Sequence, residues 1–369
     1  MQNTVEKIHE SGRQLVLSVT GGGSGAISAL LEVPGASDCV LEALVPYAAS
    51  ALELWLGGPV DHYCSERTAR AMAMAAFERA RRLSDADPHS LRGIGATASL
   101  ATKRPKRGAH RIHVAWQSAD TTSVTTCELA KGQRSRAEEE LIATRLALDV
   151  VMEACEIDSP PLLDVSLRAD VDRRIQTAPP PWTQLLLGQR QSVAVAEATD
   201  ERGPPILFPG AFNPPHWGHD KMAEIAAARY VNPVTFELSI ANVDKPPLDF
   251  IELADRLQQL AGKRVLLTRA ATFVEKARLA PGCVFVAGTD TLIRVADSRY
   301  YAGDVAKRDA AIAEIAALGC RFIVFGRYLE GRFCKLSHIN IPHILRALCD
   351  EVTESEFHAD VSSSQLRGD

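Results

Sequence analysis

Apolar and polar positions alternate along the chain in two distinct rhythms. QLVLSVT (14–20) is a short apolar-rich run that ends at Gly21, Gly22 and Gly23, which predicts a buried strand entering a tight turn. SERTARAMAMAAFERARRL (65–83) has alanine-rich helical spacing behind Ser65, a residue suited to an N-cap. RIHVAW (111–116) and TSVTTCEL (122–129) read as neighbouring strands, and RAEEELIATRLALDVVMEAC (136–155) as a second long amphipathic helix. Strands alternating with helices over residues 1–157 predict an α/β layer structure.

The rhythm then breaks. Residues 158–203 hold DSPPLL, TAPPPW and EATDERGPP, a linker composition in which LRADVDRRI and WTQLLLGQ are candidates for short helices. From residue 204 the alternation resumes. PILFP predicts a strand, GAFNPPHWGH a turn and DKMAEIAAARY a helix. Further strands are expected at KRVLLT (263–268), CVFVAG (283–288) and RFIVFGR (321–327), with the helix RDAAIAEIAALG before the last. That is a βαβ series, and it predicts a Rossmann-like parallel sheet with a ligand at the strand C-termini. The expected organisation is therefore α/β with two domains, 1–157 and 204–369, joined by a linker.

Composition narrows the function classes. The 369 residues carry 41 basic and 46 acidic side chains, a net charge of −5 that argues against a nucleic-acid surface. No apolar run approaches the ~20 residues that span a bilayer, and the polar start MQNTVEKIHESGRQ lacks the apolar core of a leader. The eight cysteines are scattered without a CxxC pair, so neither a zinc site nor a disulfide framework is expected. A cytoplasmic setting follows as the expectation.

The densest chemistry lies in Gly210-Ala211-Phe212-Asn213-Pro214-Pro215-His216-Trp217-Gly218-His219. Gly210 permits a tight turn and close approach of backbone to ligand. Pro214 and Pro215 fix the loop before a helix. His216 and His219 stand three apart on one face of the first turn, where free N–H groups already favour anions. Strand, glycine, aromatic-Asn-Pro, HxGH and helix in this order resemble the nucleotidyltransferase superfamily that includes the nicotinamide and nicotinate mononucleotide adenylyltransferases. VFVAGTDTL (284–292) is similar to that family's G-x-D segment, which implies that Gly288 and Asp290 face the nucleotide along with Gly210, Ala211, Phe212 and Asn213. DVSSSQLRGD (360–369) resembles its terminal I-S-S-T-x-I-R element, which implies that Ser363, Ser364 and Arg367 hold the β- and γ-phosphates of ATP. Ser362 and Gln365 also fit a helix capping box.

The resemblance implies transfer of AMP from ATP, with Mg²⁺, to a phosphomonoester acceptor. Such an acceptor is already an anion and attacks the α-phosphorus without a conventional base. His216 and His219 are then transition-state stabilisers and Arg367 the phosphate clamp. TFVEKARLAP (272–281) falls at the acceptor side by its place in the order. The terminal element resembles the pyridine-nucleotide branch more than the cytidylyltransferase one, whose R-T-x-G-I-S-T-T pattern is missing, and that resemblance implies nicotinamide or nicotinate mononucleotide as the acceptor. Phosphopantetheine and a non-catalytic nucleotide-binding role are the alternatives.

In the first half, SVTGGGSGAISALLEVPGAS (18–37), VPYAAS (45–50), CSERTARAMAMAAFERAR (64–81) and GIGATASLATKRPKRGAHRIHVAW (93–116) resemble the nicotinamide-nucleotide amidase family, the CinA C-terminal domain. The match implies a nucleophile at Ser18, a turn at Thr20, Gly21 and Gly22, and a site tyrosine at Tyr47. It departs where the family has serine, asparagine and lysine: Ala48, Ala49 and Leu52 stand there. Without that lysine Ser18 lacks its activating base, unless Lys103 or Lys106 of the basic turn KRPKR (103–107) reaches in. The resemblance also implies a homo-oligomer formed through this domain, as an amidase or as an oligomerisation or ligand-sensing module.

Overall fold

Gln14–Thr20 forms β1, buried at every position after Gln14. It lies parallel to β2 (Val40–Leu44) on one side and β3 (Leu91–Ser99) on the other. β4 (His110–Gln117) pairs antiparallel with β3, and β5 (Thr121–Leu129) antiparallel with β4, so β4 and β5 are neighbours as expected. The computed structural model describes residues 1–103, 107–195, 203–243, 245–329 and 332–357. It divides into two compact units, Met1–Leu187 with Asp244–Ala254, and Gly188–Val243 with Asp255–Asp369.

The first unit is a sheet with helices on both faces. Leu15, Leu17 and Val19 share a core with Ile142, Leu146 and Val150 of the helix Arg136–Ala154. The helix Glu66–Leu83 covers the opposite face, its N-terminus capped by Ser65, whose side chain accepts the Thr68 N–H. Glycine permits that approach. A Cβ at Gly93 would lie 2.1 Å from the Ala73 carbonyl oxygen, and one at Gly95 would lie 2.3 Å from that of Ala69.

The stretch 158–203 departs from the expected linker. Of the candidate short helix LRADVDRRI (167–175), residues 167–170 fall in the short helix Val165–Asp170, whereas Val171–Thr177 is β6, the antiparallel edge strand beside β5, so the described sheet runs β2-β1-β3-β4-β5-β6. Residues 172–175 are all exposed, so β6 lacks the apolar alternation that marks a half-buried strand. Pro180–Leu187 is helical, with prolines at its first positions where no N–H partner is needed.

In the second unit, β7 (Ser192–Ala194) also comes from the expected linker and pairs antiparallel with β10 (Val265–Thr268). β8 (Ile206–Pro209), β9 (Val234–Ser239), β10, β11 (Val284–Gly288), β12 (Arg321–Phe325) and, after the short hairpin β13 (Arg327–Leu329) and β14 (Arg332–Cys334), β15 (Cys349–Val352) build the described sheet in the order β15-β12-β11-β8-β9-β10-β7. All its neighbours except β7 are parallel. Phe285 and Phe322 pack with Ile312 and Ile315 of the helix Val305–Ala317. None of the eight cysteines forms a disulfide. Among the described residues, no helix is long and apolar enough to cross a membrane.

Candidate functional site

The strand order locates the site before any side chain is considered. The chain lays down β8, β9 and β10 in one direction, returns, and lays down β11, β12 and β15 in the other. The loops after β8 and β11 diverge at that reversal, and a crevice outside the strand C-termini there is where open α/β sheets take ligands. Gly210 to His216 leave β8, and Gly288 to Asp290 leave β11. Two separate sequence predictions therefore arrive at one place.

The loop after β8 is tightly built. A Cβ at Gly210 would lie 2.6 Å from the Phe212 ring, so only glycine fits. Phe212 holds φ of +45°, strained for a bulky residue, and the Asn213–Pro214 peptide is cis. Phe212 was expected to face the nucleotide, but it is 2% exposed. Its ring meets Phe208, Phe236 and His219 edge-on at 5.2, 5.1 and 5.1 Å. It makes the apolar floor beneath His219, while Ala211 is exposed and Asn213 half-buried.

His216 immediately precedes the helix Trp217–Tyr230. Its main-chain N–H donates to Nδ1 of His219 at 3.2 Å. That bond requires a lone pair on Nδ1, so neutral His219 carries its proton on Nε2, a hydrogen-bond donor. The two rings stack at 3.8 Å. Burial, reinforced by His216, Arg327 and Lys263, depresses His219 to about 3. Burial followed by Arg327 also lowers His216. At neutral pH His219 is therefore uncharged.

Polar atoms here are left waiting. Both ring nitrogens of His216 and Oδ1 of Asp290 are buried without a hydrogen-bond partner. Arg327 places Nε 3.4 Å from that same Oδ1, an ion pair too loose to count as a good hydrogen bond. A Cβ on Gly288 would come within 2.4 Å of Asp290 Oδ1 and 3.0 Å of Arg327 Nε, so this glycine makes room for both. Arg327 was missed in the sequence, although it stands just beyond the C-terminus of RFIVF, on the edge where ligands bind.

Ser363, Ser364 and Arg367 lie outside the described residues. Ahead of them, Phe357 packs edge-on against Phe325 at 5.0 Å, two residues before Arg327. TFVEKARLAP folds as the helix Phe273–Leu279, opened by a capping box between Thr272 and Glu275. No group of three or more His, Cys, Asp or Glu among the described residues is arranged to hold a metal.

In the first unit, a pocket of about 300 Å³ is lined in part by Thr20, Gly21, Tyr47, Leu52, Tyr63 and Thr97. Thr20 and Tyr47 both line it, the Thr20 hydroxyl donating to the Pro46 carbonyl at 3.0 Å and Tyr47 standing 69% exposed. Ser18 does not line the pocket; it is fully buried and its hydroxyl has no hydrogen-bond partner. Leu52 packs with Leu56 and Met72. Glu140 Oε1 accepts the N–H groups of Gly23 and Ser24, both at 2.9 Å, so a carboxylate already occupies the glycine turn. Lys103 is exposed, and Lys106 lies outside the described residues.

No protein family matches the chain, and no curated protein does. Solved structures give partial likenesses. The competence/damage inducible protein CihA from Agrobacterium tumefaciens aligns over 42% of this chain and 94% of its own, with 22% identity and a TM-score of 0.33. A competence-damaged protein (CinA) superfamily protein from Escherichia coli covers 42% of this chain and 88% of its own at 17% identity and a TM-score of 0.33. Its counterpart from Enterobacter cloacae covers 42% and 89% at 18% identity, with the same TM-score of 0.33.

Proposed function

We propose that the second unit is an adenylyltransferase that moves AMP from ATP to a phosphomonoester, with nicotinamide or nicotinate mononucleotide as the acceptor, and releases pyrophosphate. One observation carries the reading: His216, His219, Asp290 and Arg327 converge at the sheet's reversal point, with both His216 ring nitrogens and Asp290 Oδ1 buried and without a hydrogen-bond partner. A neutral imidazole with its proton on Nε2 is a donor awaiting an acceptor oxygen, and a polyphosphate supplies several. Arg327 adds the fixed positive charge.

The chemistry needs little more than alignment and charge neutralisation. An acceptor phosphate oxygen forms a bond to the α-phosphorus while the bond from the α-phosphorus to the bridging oxygen breaks. The electron pair leaves with pyrophosphate. His216 and His219 donate to phosphate oxygens whose charge grows along this path, and Arg327 neutralises the same region. Mg²⁺ would enter with ATP as part of the substrate and neutralise phosphate charge, and Asp290 would be the carboxylate of this cluster that meets it; magnesium bound through phosphates needs only one or two carboxylates. The test is pyrophosphate release from ATP across a panel of phosphomonoesters. Turnover with a mononucleotide supports the reading, and silence with every acceptor sinks it.

For the first unit the same standard favours a pocket without hydrolysis. Among the described residues the hydroxyl of Ser18 has no hydrogen-bond partner and does not line the pocket, Leu52 brings no amine, and Glu140 blocks the turn against another anion. A ligand-sensing or oligomerisation role fits those residues better than deamidation.

A further inference from the structure

Lys276 and Glu237 form an ion pair almost out of reach of water, their side chains 7% and 1% exposed. Lys276 Nζ donates to Glu237 Oε1 at 2.9 Å and to the Ala270 carbonyl at 2.6 Å. The Thr268 hydroxyl donates to that same Oε1 and accepts the Ala270 N–H at 3.2 Å. The main-chain carbonyl of Glu237 accepts the N–H of Gly210 at 3.1 Å. One residue of β9 therefore fixes the exits of β8 and β10, its two sheet neighbours.

Buried ion pairs contribute poorly to stability, because desolvation offsets most of the attraction; what they can supply is fixed geometry. The place of this geometry gives it meaning. Gly288, Asp290 and Arg327 come from the ends of β11 and β12, and on the adenylyl-transfer reading that half of the crevice takes the nucleotide. The ends of β9 and β10 are then left for the acceptor; Glu237 stands two residues before the end of β9 and is bonded to Lys276 and to Thr268, the last residue of β10. We infer that Lys276 and Glu237 are positioning residues for the acceptor: they hold the strand exits at Gly210 and Ala270 so that the acceptor phosphate meets the α-phosphorus in line. Neither touches substrate, and both act through the loops they anchor. This inference rests on the adenylyl-transfer reading.

The test uses the full chain and whichever acceptor in the panel supports turnover. Pyrophosphate release is measured against acceptor at saturating ATP, and against ATP at saturating acceptor. Displacing reacting groups by a fraction of an ångström costs about tenfold or more. Lys276→Met is accordingly expected to raise the acceptor KM about tenfold and leave the ATP KM within about twofold, with Lys276→Arg restoring most of the loss. Thr268→Val keeps the ion pair and loses only the hydroxyl bridge, with an expected rise of about threefold. If Lys276→Met does not fold, Thr268→Val decides the matter. Equal effects on both KM values, or no effect on either, overturn the inference while leaving the reaction in place. A wild-type protein silent with every acceptor overturns the reaction and this inference with it.

Discussion

His219 is kept neutral by its position: burial over Phe212 and Phe208, with His216 and Arg327 nearby, outweighs any gain from protonation. Two consequences can be measured. His219→Ala is expected to lower turnover about a hundredfold to a thousandfold, as loss of one preorganised donor typically does, while ATP binding weakens only a few-fold; equal losses in both would argue for a simple binding role. The second concerns acid stability. Unfolded His219 binds a proton near pH 6.5 and folded His219 only near 3, so between those values the unfolded state holds more protons and stability falls as pH falls. Thermal unfolding from pH 7 to 4 should show a shallower decline in His219→Gln than in the wild type, and parallel curves would contradict the assignment. The histidines were legible because their motif is contiguous in sequence. Arg327 was not, because only the topology brings it to them. Phe212 was misread because an aromatic residue in a loop resembles a ligand contact until its burial is known.

At the scale of elements, the sequence showed best those segments whose period matches their burial. β1, β4, β5 and the helices Glu66–Leu83 and Arg136–Ala154 all had one wet face or none, and the pattern found them. β6 and the terminal strand CDEV of β15 lie at sheet edges with polar sequences, so neither apolar alternation nor an apolar run marks them. Close packing was equally silent, since a glycine inside a strand reads as weakness until its neighbour is seen. Gly93→Ala puts a methyl group 2.1 Å from the Ala73 carbonyl and 2.2 Å from the Phe77 nitrogen, both backbone atoms of a long helix. It is expected to destabilise the first unit by about 3 kcal/mol, at the upper end of overpacking costs. Denaturant unfolding of Gly93→Ala against Gly108→Ala, where nothing lies within 4 Å of the added methyl, checks this; equal midpoints would contradict the packing.

At the scale of the whole molecule, the two units differ in what their sites can do. The second gathers two histidines and an arginine where buried polar atoms lack hydrogen-bond partners. The first has a pocket but keeps Ser18 away from it and fills its glycine turn with Glu140. The first unit is accordingly expected to release no ammonia from nicotinamide mononucleotide, and Leu52→Lys alone should not start it; ammonia release that disappears in Ser18→Ala would contradict this. The mild net acidity, which spoke against a nucleic-acid surface, is compatible with a nucleotide met by a few local donors. The measurement closest to the central claim follows the α-phosphorus itself. ATP labelled at that atom is incubated with the protein and a mononucleotide acceptor, and the products are separated. The account predicts label in a diphosphate-linked dinucleotide, formed one for one with pyrophosphate and lost when His216 and His219 are both replaced by alanine. Label recovered only in ATP, ADP or free AMP would contradict it.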